Sequence, residues 1–274
     1  MDRQAWLQER RKYLGASEVA AVCGLCPFGS PLTVWASKKG YGENVDSDAT
    51  ELGRLFEAPL LALYADRTKS TLSHPGTLHR ADFAWMAATP DAVANDRINV
   101  QAKIVGADMA YHWDDGVPDY VQVQNQWEMH VSGLQVTHVV ACIGGTEYRC
   151  EAVPRDDVMI GYLVEICSEF WQRYIVGEEM PAVDASEEAK RILARRFKSP
   201  TQGMGDAVPE IIADAAEYKR LSREITDRQK AKDLIANALR LAIGDRQGLK
   251  WSGGYVSWKA DKNGERRLYV HEKE

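Results

Sequence analysis

Residues 85–105 read WMAATPDAVANDRINVQAKIV. The apolar residues around Thr89-Pro90-Asp91 predict a short strand near 84–88 and a second strand over 98–104. On the second strand, residues 101 and 103 are two apart and point to one face. Asp91, at the entrance to the hairpin, can face them. A carboxylate opposite a strand that ends in Gln-Ala-Lys can assemble oxygen donors beside a cation. The same residues also read as a surface turn followed by a lysine whose stem lies along the strand.

Working outward, residues 3–13 are predicted helical with Trp6 and Leu7 as apolar anchors, and Ser17 is predicted to cap a short helix over EVAAV. Ser30-Pro31 starts another helix with proline at its first position. Residues 48–68 form a third helix, with Leu52, Leu55, Phe56, Leu60, Leu63 and Tyr64 as its apolar stripe and Pro59 inside it. Short strands are predicted near 71–79, 137–143 and 147–153. Pro118 opens a helix to about 132, ended by Gly133, and Pro154 introduces one over 156–176. Residues 189–198 and 210–243 are helical, and 249–270 reads as a hairpin. Helices around a mixed sheet give an α/β fold. We divide it into a core over 1–185 and a basic helical and hairpin extension over 186–274.

The chain has 274 residues and a formal charge of −6, with 45% hydrophobic and 27% charged residues. That composition excludes collagenous, disordered and disulfide-scaffold classes. No apolar run is long enough for a spanning helix, and the charged N-terminus has no signal-peptide core; a cytoplasmic location is the expectation, with no membrane partner. Residues 1–186 carry 15 basic and 26 acidic side chains, and 187–274 carry 19 and 14. A basic tail on an acidic body hints at nucleic-acid contact by the tail. The cysteines, 23, 26, 142, 150 and 167, form one CxxC without a second, and read as small buried thiols rather than a zinc site; an iron–sulfur site is the alternative. The histidines have no ligand spacing.

The TPD…QAK spacing resembles the PD-(D/E)xK nuclease site, in which two carboxylates hold a divalent metal and a lysine sits beside the attacking water. Further segments resemble the YqaJ / phage λ exonuclease family. Arg10 to Lys12 and then YLGASEVAAVCGLCPFGSPLTVW (13–35) match its opening of Arg, a gap, Gly-(Gly/Ala)-Ser-(Asp/Glu)-Val and a turn. ELGRLFEAPLLALY (51–64) matches its helix with a central Glu. VPDYVQVQNQWEMHVSG (117–133) matches its Tyr, Gln-Val-Gln helix ending in Ser-Gly.

The resemblance implies a PD-(D/E)xK core, with a central mixed β-sheet flanked by helices. It also implies a Mg²⁺-dependent 5′→3′ exonuclease on linear double-stranded DNA, with Mn²⁺ substituting, that leaves 3′ tails for recombination. Double-stranded DNA ends, a single-strand annealing protein and a homotrimeric ring are the implied partners. Asp91 and position 101 would be metal ligands, with the Ala102 carbonyl and Glu57 completing the set. Lys103 would orient or deprotonate water, and Gln122 would face the site with Gln126 one turn on; Gln124 is the rival for that role. Arg10, Ser17 and Thr89 would hold the 5′ phosphate, with Arg11 the rival for Arg10. The family has an acid at 101 and this chain has Gln101. The expectation is an engineered Glu→Gln variant with impaired cleavage. A restriction-type endonuclease and a non-catalytic DNA-end binding protein are the alternatives.

Overall fold

The computed structural model describes residues 8–42 and 47–272. It forms two compact units, Met1–Ser199 and Pro200–Glu274. The first contains β1 (Leu14–Gly15), α1 (Ala16–Val22), α2 (Pro31–Lys39), α3 (Asp48–Thr68), β2 (Leu72–Ser73), β3 (Leu78–His79), β4 (Met86–Ala88), β5 (Ala92–Ala94) and β6 (Ile98–Val105). After a 3-10 turn (Ala107–Trp113) come α4 (Asp119–Ser132), β7 (Val136–Ile143), β8 (Glu147–Pro154), α5 (Asp157–Phe170) with a π turn to Val176, and α6 (Glu187–Arg196). The sequence missed β1 and β5, which are too short to show a period. Of the helix expected over 3–13, residues 8–10 are helical, and Trp6 and Leu7 lie outside the described residues.

Five strands form the central mixed sheet in the order β2-β5-β6-β7-β8, and β1-β4-β3 form a smaller one. β6 runs parallel to β7 over its whole length, Asn99 opposite Thr137 through Val105 opposite Ile143. β5 covers the other edge of β6 only as far as Val100. Beyond Val100 that edge is open, and Asp91, just before β5, fills the gap: its Oδ2 accepts from the Ala102 N–H at 2.8 Å. A side chain thus takes the place of a ladder partner.

α4 crosses between β6 and β7. Pro118 precedes it, and Gly133 ends it in the left-handed region at φ 79°. One of its faces packs Val123 and Trp127 into a core shared with α1, α2 and α5. Another packs Val121 and Met129 against Val139 and Ala141 of β7. The Trp127 indole donates to the Ala87 carbonyl (3.1 Å).

Two expectations change here. The cap of α1 is Gly15, not Ser17: the Glu18 carboxylate accepts from the Gly15 N–H at 2.9 Å, which leaves the Ser17 hydroxyl free for other work. The apolar stripe of α3 is buried only at Leu60, Leu61 and Tyr64, while Leu52, Leu55, Phe56 and Leu63 are exposed. α3 docks on the sheet through its C-terminal half, against Val100 and Val140.

The boundary between the units falls after Ser199 rather than after 185. α6 buries Ala189 and Ile192 in the core that holds Trp35 and Leu32. Its cations are engaged within the unit. Arg195 donates to Glu188 at 2.7 Å, and Arg196 lies 5.3 Å from the centres of both the Trp35 and Tyr41 rings.

The second unit holds α7 (Pro209–Ile243) and a three-stranded antiparallel sheet, β9 (Gly248–Trp251), β10 (Gly254–Ala260) and β11 (Arg266–Glu272). The sequence read this sheet as a two-stranded hairpin. Arg266 lies 3.8 Å over the Trp258 ring and donates to the carbonyls of Gly244 and Arg246, which ties the helix end to the sheet. Among the described residues no helix is long and apolar enough to cross a membrane.

Because Arg196 stacks on two rings and donates to the Tyr41 hydroxyl (3.1 Å), Arg196→Ala should lower stability by about 1–2 kcal/mol. Urea unfolding should show a lower midpoint at unchanged slope.

Candidate active site

A hollow of about 540 Å³ opens where the uncovered edge of β6 meets α1, α3 and α4. Asp91, Gln101, Ala102 and Lys103 line its floor, and Glu57 reaches it from α3. Arg10, Ser17 and Thr89 line it from the side of the small sheet. Eight of the nine residues singled out from sequence therefore share one cavity.

Gln122 does not. Its Nε2 donates to the Val117 carbonyl at 2.8 Å, and it lines a separate hollow with Tyr120 and His112. Gln126 is also elsewhere: it donates to the Pro154 carbonyl and accepts from the Asp156 N–H, both at 2.8 Å, bracing the β8–α5 junction. Residues two apart on a helix point about 200° apart, so Gln122 and Gln124 cannot both face the site. Burial of Val123 and Trp127 sets the rotation, and Gln124 faces the cavity.

Glu128, one turn beyond Gln124, lines the same cavity and is fully buried. Sequence reasoning did not assign it a role; its signal was the i,i+4 spacing from Gln124. Thr50 and Arg54, on the face of α3 that carries Glu57, also line the cavity and were not singled out.

On the floor, Asp91 Oδ2 accepts from Gln101 Nε2 as well as from Ala102 N. Lys103 Nζ donates to Gln124 Oε1 at 2.9 Å. Burial, and next the neighbouring Glu128, raise the Asp91 carboxyl to about 7; Lys103 opposes the rise and Glu57 adds to it. Burial also raises the Glu128 carboxyl.

The opposite wall is built on a buried ion pair. Lys38 Nζ lies 2.6 Å from Glu18 Oε2 and donates to the Arg10 carbonyl at 2.8 Å. Burial lowers the Lys38 ammonium, and the Glu18 charge opposes this. The pair locks the start of α1 to α2, and Arg10 Nη2 then donates to Ser17 Oγ at 3.2 Å. A guanidinium, a hydroxyl and the first turn of a helix suit a phosphate group. Thr89 bonds Thr77 at the open end of the β3–β4 pair, hydroxyl to hydroxyl at 3.0 Å.

Among the described residues no group of three His, Cys, Asp or Glu side chains is placed to hold a metal ion. The cavity lining contains no thiol or imidazole, and the polar groups among its lining residues are all oxygen and nitrogen. Its carboxylates, Asp91, Glu57 and Glu128, are chemically suited to a hard divalent cation. Asp91 and Glu57 are the charged donors, with the Ala102 carbonyl on the same strand edge.

Residues 5–135 match the YqaJ-like viral recombinase domain. The uncharacterized protein YqaJ of Bacillus subtilis (strain 168) is 25% identical over 248 residues, 88% of this chain and 76% of that protein. The crystal structure of an alkaline exonuclease, LHK-Exo from Laribacter hongkongensis, has the same fold with a TM-score of 0.54 at 20% identity, over 63% of this chain and 93% of that one. LHK-Exo in complex with dAMP gives a TM-score of 0.55 at 18% identity, over 71% and 98%.

A carboxyl raised in the folded state keeps its proton between about pH 4 and 7, where the unfolded chain has released it. Unfolding then releases a proton, so stability falls as pH rises through that window and levels above about 7. Asp91→Asn should remove part of this slope and be the more stable protein at pH 8 by about 1–3 kcal/mol. Urea midpoints at pH 5 and pH 8, in chelator, measure it.

Proposed function

With a YqaJ-like viral recombinase domain over residues 5–135, we propose that this chain is a Mg²⁺-dependent 5′→3′ exonuclease that acts on linear double-stranded DNA. The observation that carries the reading is the meeting of Asp91, Glu57 and Lys103 with the Arg10–Ser17 pair in one cavity. One half suits phosphodiester hydrolysis and the other suits a terminal phosphate.

Asp91 and Glu57 would hold the cation, with the Ala102 carbonyl as a neutral donor. A bound divalent cation stabilises charge on the phosphate and lowers the pKa of its water. Lys103, held by Gln124, places an ammonium where the water and the scissile phosphate meet. Arg10, Ser17 and Thr89 bind the 5′ phosphate, so cleavage proceeds from that end. The Lys38–Glu18 pair holds α1 and α2 together beside Arg10 and Ser17.

In this reading the protein works as a ring of three around the duplex, beside a single-strand annealing protein, and leaves 3′ tails. A trimer holds its substrate topologically, which suits a chain whose net charge is −6. Light scattering should then give three times 30.7 kDa.

The expectation of an impaired enzyme follows if the second charge of the site must sit at 101. Glu128 in the same cavity supplies another carboxylate. The two cases part on Gln101→Glu: a gain of about 10²–10³-fold in rate if 101 must be charged, and no gain otherwise.

Asp91→Ala should abolish digestion of linear duplexes and weaken Mn²⁺ binding in isothermal titration. Unchanged Mn²⁺ binding would place the metal site elsewhere.

Digestion should favour 5′-phosphorylated over 5′-hydroxyl duplexes by about 10²-fold, and Arg10→Ala should erase most of that preference. Closed circles should be spared. Cutting of circles would instead indicate an endonuclease, and binding of ends without digestion a non-catalytic end-binding protein.

A further inference from the structure

A chain of side chains crosses the cavity floor with an acid at each end. Glu128, 1% exposed, accepts from Gln124 Nε2 at 2.8 Å and from Asn99 Nδ2 at 2.7 Å. Gln124 Nε2 also donates to Gln101 Oε1 (3.1 Å), while Gln124 Oε1 accepts from Lys103 Nζ (2.9 Å). Gln101 Nε2 closes the chain on Asp91 Oδ2. Ionised carboxylates only accept and an ammonium only donates. With both acids ionised, they and Lys103 therefore allow one consistent orientation of both amides. A glutamate at 101 would set a carboxylate oxygen against Asp91 Oδ2 with no hydrogen between them.

We propose that Glu128 is the positioning carboxylate of this site: it carries, from α4, the negative charge that position 101 lacks, and through Gln124 it holds Lys103 and Gln101 in place. The proposal rests on the nuclease reading above. It reverses the expectation attached to Gln101, whose amide becomes a working bridge between two acids. Glu128 acts through Gln124 and Asn99, whose amide donors occupy both of its oxygens.

The fold should tolerate the necessary substitution. Asn99 Oδ1 is buried without a hydrogen-bond partner. Rotating the Asn99 amide presents that oxygen to a Glu128→Gln side chain and to the Thr137 hydroxyl, which lies 3.0 Å from Asn99 Nδ2.

The experiment compares the 274-residue chain, taken as the parent, with Glu128→Gln, Gln101→Glu and the double variant. Each is measured for Mn²⁺ affinity by titration calorimetry, for rate on 5′-phosphorylated linear duplex, and for urea midpoint. Glu128→Gln should lose about 10²-fold in rate and about tenfold in Mn²⁺ affinity, at a midpoint near that of the parent. Gln101→Glu alone should bring no gain. The double variant should recover to within about tenfold of the parent, because the charge has moved along the chain of side chains and has not been lost.

A Glu128→Gln protein with the parent's affinity and rate overturns the proposal, and so does a loss that the double variant does not recover. If Glu128→Gln does not fold, Gln101→Glu decides alone: a gain in rate overturns the proposal, and no gain supports it. A parent that neither binds Mn²⁺ nor digests DNA brings down the nuclease reading as well, and is distinguished by that from failure of Glu128 alone.

Discussion

Two carboxylates withdrawn from water on one cavity floor set the central constraint on this molecule. Burial raises the carboxyls of both Asp91 and Glu128, and the nearby Glu128 charge adds to the rise at Asp91. Such groups persist in a fold only when their oxygens are met by donors. Here the donors are one backbone N–H, that of Ala102, and the side-chain amides of Asn99, Gln101 and Gln124. These amides stand on β6 and α4, so the strand and the helix must keep their mutual register. An error of one residue on β6 would turn Asn99 and Gln101 to the other face and take a side-chain donor from each acid.

The rest of the first unit can be understood as what holds that register. β6 is clamped by its full parallel pairing with β7. α4 is held on opposite sides by two apolar clusters, through Trp127 and through Met129. Its C-terminal carbonyls are met by arginines: Arg80 donates to His130 O and Arg155 to Met129 O. A helix gripped in this way has little freedom to rotate, which suits a residue pair whose hydrogen-bond partners lie on a neighbouring strand. The second wall of the cavity relies on one more buried charge, Lys38 against Glu18. Removing Glu18 would leave the Lys38 ammonium buried with only the Arg10 carbonyl as acceptor, which costs far more than the pair itself contributes.

The charge pattern along the chain has a structural origin. The arginines of α6 stack on Trp35 and Tyr41 or pair with Glu188, and many in α7 pair one turn away, as Arg220 does with Glu217 and Glu224. A basic segment in sequence was therefore partly a helix surface already neutralised by its own acids. Arginine suits this role because its planar group packs on rings while it donates at its edges.

The sequence by itself determined the strand that carries residues 101 and 103, the turn that presents Asp91 to them, and the bounds of α3, because alternation, proline and helix period are local properties. It also placed Arg10, Ser17, Thr89 and Glu57 in the same site through motif order. It could not choose between Gln122 and Gln124, since both lie on a helix whose rotation depends on which face meets the distant Trp35 and Val139 clusters. Exposure of the first half of α3 was equally hidden, because a helix period does not say how much of its length is covered. The role of Glu128 was beyond its reach for the same reason: a glutamate in a helix reads as solvated until β6 and α4 close over it. Only the tertiary structure brings Asn99, Gln101 and Gln124 to that carboxylate, and burial with those partners turns an ordinary acid into part of the site.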